Sequence, residues 1–197
     1  MPKMIKDLPN IYIGVDPGAS GGLASLINGP IHICPMPDTE RDIWEWFRQV
    51  SFKGVLGSQP IFAIIEKVHA MPGNGVSSMF RFGQNYGFLR ACLIASNIPF
   101  DEVTPQAWQK ALGIPKRGKT ERKPEFKNRL KAKAQQLFPD IKVTPATADA
   151  LLISEYCKRR KEGTLGAQSL PKAYPAVEGM SEVRPLRATQ KDGLCTG

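Results

Sequence analysis

Two short runs constrain this chain more than any other feature: residues 11–16 (IYIGVD) and 61–66 (IFAIIE). Both are rich in β-branched residues and apolar at odd and even positions alike. That is the pattern of strands covered on both faces in the middle of a sheet. Each run ends in an acid, Asp16 and Glu66. A carboxylate closing a buried strand is costly unless it is paired, protonated or bound to a cation. Open α/β sheets place their ligands beyond the carboxyl ends of the strands. Two acids ending neighbouring central strands would therefore face one crevice.

The remaining elements follow from periodicity and turn chemistry. Residues 22–27 and 30–35 read as a hairpin turned by Asn28-Gly29. A helix over about 40–50 carries Ile43, Trp44, Phe47 and Val50 on one face, and a Gly/Pro-rich turn occupies 71–75. A long helix over about 77–96 carries Gly83, Gly87 and Ala91 at four-residue spacing, which by default implies close packing in the core. A short strand is expected at 99–104, and Thr104-Pro105 is a helix start with Pro at the first helical position. Another helix ends before Pro139, and the last one spans about 146–162. Trp108, Tyr12 and Trp44 are assigned to packing. Three strands in a row, then alternating helices and strands, give an α/β fold with a mixed sheet. The order resembles an RNase H-like core, a mixed five-stranded sheet flanked by helices. The domain is placed at 1–162. From 163 to 197 the chain turns to Gly, Pro, Ser and scattered charges without periodicity, and a disordered tail is expected there.

A third acid lies in the last helix. In Ala146-Thr147-Ala148-Asp149-Ala150-Leu151-Leu152 the helical face of Asp149 continues through Leu152, Ile153, Tyr156 and Cys157. Asp149 therefore sits on the apolar stripe and faces the core or the sheet edge. Any one inward acid can be a cap or half of an ion pair. Three of them suit phosphodiester hydrolysis, which needs an activated water and stabilisation of a leaving oxygen. Two hard divalent cations about 4 Å apart supply both and require several carboxylate oxygens. Mg²⁺ is the natural ion for such ligands, and Mn²⁺ a substitute.

These residues resemble a known family. Ile13-Gly14-Val15-Asp16-Pro17-Gly18, Glu66 at a strand end and Ala148-Asp149-Ala150-Leu151-Leu152 on the last helix are similar to the RuvC-type Holliday junction resolvases. Phe80-Arg81-Phe82-Gly83 and Thr104-Pro105 followed by Trp108 are closer to the phage and organellar branch. The resemblance spans roughly residues 11–160. It implies a homodimer that nicks four-way DNA junctions symmetrically, with Mg²⁺, leaving 5′-phosphate ends. It also implies Asp16, Glu66 and Asp149 as catalytic metal ligands and the 77–96 helix as a candidate dimer interface. One position departs from the family. Its fourth ligand, Asp or His one helical turn before the helix acid, is here Ala146. Thr147 lies on a different part of the face, and Glu155 is read as a solvated surface acid.

Charge points the same way. The chain carries 27 Lys and Arg against 18 Asp and Glu, a formal charge of +9, which favours a polyanionic partner. Residues 110–133 hold ten of the basic residues and only Glu121 and Glu125 in opposition. Lys116, Arg117 and Lys119 on a Gly-containing loop are the foremost candidate phosphate contacts, with Lys123, Lys127 and Arg129 extending the track along a helix. Residues 113–120 also match GxxxxGK[ST], but a P-loop needs a strand feeding it, and PQAWQKAL before it reads as a helix. Phe80, and secondarily Phe82, could stack on unpaired bases, and His69 could contact DNA. Four cysteines without short Cys/His spacings argue against zinc and against a disulfide framework. With no secretory signal and no membrane span, a soluble intracellular protein is expected, the compartment (cytoplasm, nucleoid or organelle) being left open. Two other readings stay in play: a junction-binding protein with weakened catalysis, suggested by Ala146, and a P-loop or actin-like nucleotide phosphatase.

Overall fold

The computed structural model describes residues 10–27, 30–56, 59–69 and 75–165. Five strands form one sheet in the order β3-β2-β1-β4-β5: β1 Ile11–Asp16, β2 Gly22–Ile27, β3 Ile31–Pro35, β4 Ile61–Glu66 and β5 Phe100–Val103. β1 pairs antiparallel with β2, which pairs antiparallel with β3, while β4 runs parallel to both β1 and β5. The sheet is mixed, and the two acid-ended runs are adjacent at its centre, as their patterning predicted. Asn28 and Gly29, the expected hairpin turn, lie outside the described residues, as do residues 71–74 of the Gly/Pro-rich turn and 166–197 of the expected tail.

Helices cover both faces: α1 Glu40–Leu56, α2 Val76–Ala95, α3 Pro105–Ala111, α4 Lys123–Leu137 and α5 Ala148–Lys161. The strands divide their side chains between two apolar layers by strict alternation. Tyr12 of β1 and Ile64 of β4 join the layer containing Trp108, Leu130, Leu151, Leu152 and Tyr156. Ile11, Ile13 and Val15, with Ala63 and Ile65, join the layer under α1 and α2 that holds Phe47, Leu89 and Leu93. Trp108 and Tyr12 are buried and Trp44 packs at the margin of the second layer, in line with their assignment to packing. Among the described residues no helix is long and apolar enough to cross a membrane.

Two expectations need correction. α1 runs six residues past its predicted end, because Lys53 and Phe52 sit on an exposed face that hydropathy does not register as helical. The small residues of α2 do not serve the core. A Cβ built on Gly83 or Gly87 meets nothing within 4 Å, and Ala91 is exposed. Only Leu89, Cys92 and Leu93 of this helix are buried, while Val76, Phe80 and Ile94 stand 86%, 66% and 66% exposed.

Candidate active site

Alternation along the strands decides where the two strand-end acids go. Tyr12 faces the α5 layer, so Gly14 and Asp16, two and four residues on, share that side; Ile64 and Glu66 do the same on β4. Gly14 lets α5 lie directly on the strand. A Cβ there would stand 2.1 Å from the Ala150 carbonyl oxygen and 2.4 Å from the Ser154 nitrogen, both backbone atoms. This close approach brings Asp149, in the first turn of α5, to the strand ends. Asp16 and Asp149 are buried at 7% and 5% exposure. The sequence pattern put Asp16 and Glu66 in one crevice and turned Asp149 toward the core or the sheet edge; in the structure all three acids interact electrostatically.

Burial, and then the nearby charges of Asp149 and Glu66, raise the Asp16 carboxyl well above the usual carboxylate range. Glu66 is pushed up to about 7, first by burial and further by Asp149, against the opposing effects of Trp108 and Lys127. Such mutual repulsion at one place asks for positive charge. Lys127 of α4, predicted as a phosphate contact on the outer track, supplies some of it. Its Nζ lies 2.5 Å from Oδ2 of Asp149 and also feels Asp16 and Glu66. Burial alone would lower the Lys127 pKa, yet the carboxylates hold it above its ordinary value. The other oxygen of Asp149, Oδ1, is buried with no hydrogen-bond partner.

Two neutral contacts complete the surroundings. The indole Nε1–H of Trp108, fully buried on α3, donates to Oε2 of Glu66 at 2.8 Å. Hydropathy placed Trp108 in the core but could not register where its single polar atom points. Beyond Asp16, the backbone N–H of Gly18 donates to Oδ1 of Asn85 on α2 at 2.8 Å. Gly18 adopts φ +99° there, with the ring of Phe82 against it. A cleft of about 470 Å³ opens between this turn and α2, lined in part by Ser78, Arg81, Phe82 and Asn85.

The other predicted residues are exposed or engaged with other partners. Lys116, Arg117 and Lys119 are exposed on the loop between α3 and α4, and Lys123 is exposed at the start of α4. Leu112 and Ile114 root this loop in the core. Arg129 turns inward to brace it, donating to the Pro115 carbonyl at 2.9 Å and pairing with Glu121 at 2.9 Å. A helix rather than a strand precedes the GxxxxGK[ST] match, and the Gly118 N–H is taken by Glu121 Oε2, so this loop is not built as a P-loop. Phe80 and His69 are exposed. Thr147 shares its hydroxyl with Thr144 and is not turned to ligation. Glu155 points away from the cluster as expected, but it is not solvated: it pairs with Arg159 at 2.7 Å and is 13% exposed.

The donor chemistry fits a hard divalent cation: three carboxylates on one side of the sheet, one buried Asp149 oxygen without a partner, and raised proton affinities at Asp16 and Glu66. Among the described residues, no three His, Cys, Asp or Glu side chains already converge on a single metal position. The cation now lodged among the acids is the ammonium of Lys127.

No protein-family model and no curated protein matches the chain in sequence. Solved structures do match in fold. Thermus thermophilus RuvC in complex with a Holliday junction substrate superposes with a TM-score of 0.52 at 12% identity, covering 79% of this chain and 98% of that one. A second Thermus thermophilus RuvC structure gives 0.47 at 14% identity, with the same coverage. The yeast mitochondrial Holliday junction resolvase gives 0.37 at 13% identity, covering 80% of this chain and 82% of that one. The RuvC complex, the mixed sheet and its flanking helices establish the fold as RNase H-like, of the RuvC type.

Proposed function

We propose that this chain is a divalent-metal-dependent endonuclease that cuts four-way DNA junctions and leaves 5′-phosphate ends. The observation that carries the reading is the gathering of Asp16, Glu66 and Asp149 on one side of an RNase H-like sheet, at the strand ends where such folds bind ligands. Asp16, Glu66 and Asp149 would hold Mg²⁺, or Mn²⁺ in its place. When bound, such ions lower the pKa of an attacking water and stabilise charge on the leaving oxygen. Two ions suit the carboxylate count. With Ala146 offering no ligand, a second ion would have fewer protein oxygens to hold it and would need water or DNA phosphate as well.

The protein's own groups do the rest. Lys116, Arg117, Lys119 and Lys123 draw the phosphate backbone toward carboxylates that would otherwise repel it. Lys127 holds Asp149 until a cation takes over its charge. Phe80, exposed on α2, would stack on an unpaired base, and the exposed His69 would contact DNA. The outward Gly83, Gly87, Ala91 and Ile94 of α2 suit a second copy of the chain, which would set two such sites across a two-fold junction.

The test is nicking of a synthetic four-way junction. Cleavage with Mg²⁺ or Mn²⁺ is expected to disappear with EDTA and to fall ~10²–10³-fold in Asp16→Asn, the scale of losing a group that stabilises transition-state charge. Junction binding should persist in that variant. Binding without cutting in either metal would favour a second reading, a junction-binding protein in which Ala146 and the Lys127–Asp149 pair have closed the metal site. Equal activity on linear duplex would remove junction selectivity altogether.

A further inference from the structure

Trp108 is a core residue whose one polar atom is spent on the edge of the candidate site. Its ring is fully buried in the layer that holds Ile64, Val103 and Leu151, and its Nε1–H reaches Oε2 of Glu66, 42 residues away in sequence. A buried indole N–H requires an acceptor, and a backbone carbonyl would have satisfied it. Here it takes a carboxylate oxygen instead. Glu66 has three rotatable side-chain bonds and two acidic neighbours, so left alone it would swing away from them. The ring cannot swing with it, because packing fixes the ring.

The type of donor matters as well. An indole N–H is a donor only and carries no charge. It anchors one oxygen without placing a competing positive charge among the ligands, unlike the ammonium that rests on Asp149. We propose that Trp108 is a positioning residue: by fixing Oε2 of Glu66 it presents the remaining oxygen, with Asp16 and Asp149, to a divalent cation. This rests on the cation-binding reading given above. Groups that orient metal ligands in this way typically alter metal affinity ~10–100-fold when removed.

Two measurements on the full-length chain test it. In metal-free ¹⁵N-labelled protein, the Trp108 indole N–H resonance should move upfield in Glu66→Gln while those of Trp44 and Trp46 stay in place; this arm leaves Trp108 itself intact. In titrations with Mn²⁺ alone, Trp108→Phe should weaken binding ~10–100-fold in the wild-type background and less than ~2-fold in Glu66→Gln. An indole resonance indifferent to Glu66, an unchanged Mn²⁺ affinity in Trp108→Phe, or an equal loss in both backgrounds would overturn the proposal. Wild-type protein that binds no Mn²⁺ would overturn the cation reading and the positioning role together. Wild-type binding with no loss in Trp108→Phe would sink the role of Trp108 alone.

Discussion

Glu66 carries the clearest pH signature of any side chain here. Its carboxyl is pushed up to about 7 from an ordinary value of 4.5, chiefly by burial. The folded chain keeps this proton after the unfolded chain has released it. Metal-free stability therefore falls as pH rises from about 4.5 to about 7 and stays low above that. Glu66→Gln should raise the melting temperature of the metal-free protein at pH 8, and the gain should vanish by pH 4. A gain of the same size at both pH values would mean that charge is not its cause. The three acids were legible in the sequence because each broke an apolar pattern at a strand end or on a helix stripe. Lys127 and Trp108 were not legible as partners. Which way an ammonium on a basic helix turns, or an indole N–H in a core, depends on elements more than 20 residues distant in sequence.

At the scale of elements, the seating of α5 on β1 governs the geometry of the site. Gly14→Ala would drive a methyl group into the backbone of α5 at Ala150 and Ser154, atoms that no rotamer change can move aside. A loss of ~3 kcal/mol or more is expected in urea unfolding, at the upper end for overpacking. The glycine was visible in the sequence within a recognisable motif, but its reason, a helix seated on the strand, is a tertiary fact. The loop between α3 and α4 shows the opposite limit. Lys116, Arg117 and Lys119 stand exposed on it, whereas Arg129, counted with them as part of the basic track, braces the loop through Pro115 and Glu121. Arg129→Ala should cost ~1–2 kcal/mol, the low end for hydrogen bonds to charged groups because the pair is partly exposed, and should open residues 115–121 to proteolysis. The slope of junction affinity against salt should change little, because the outward charges remain.

For the whole molecule, surface charge and the bare side of α2 are the features to test. Replacing Lys116, Arg117 and Lys119 together by Ala should flatten the salt dependence of junction binding by ~0.9 for each phosphate no longer neutralised. An unchanged slope would place the DNA elsewhere on the chain. The outward row of Gly83, Gly87 and Ala91 makes its own prediction. If α2 carries the proposed contact between two copies, Gly87→Glu should abolish any dimer seen in sedimentation without changing the fold, since nothing lies within 4 Å of a Cβ there. The order of elements was legible from hydropathy and turn chemistry together, and with it a mixed sheet. The outward turn of the small residues was not, because spacing identifies a face without saying which way it looks.

The alternation of β1 also works as a ruler. Gly14 must meet α5 and Asp16 must emerge on that same side, so the single residue between them, Val15, belongs to the opposite layer. One inserted residue would send the carboxylate into the apolar layer beneath α1 and α2. Two would restore its side but carry it ~6.6 Å further along the strand, past Asp149. Length variation in this chain is thus barred from the stretch between Gly14 and Asp16 and free to accumulate in the loops that leave it.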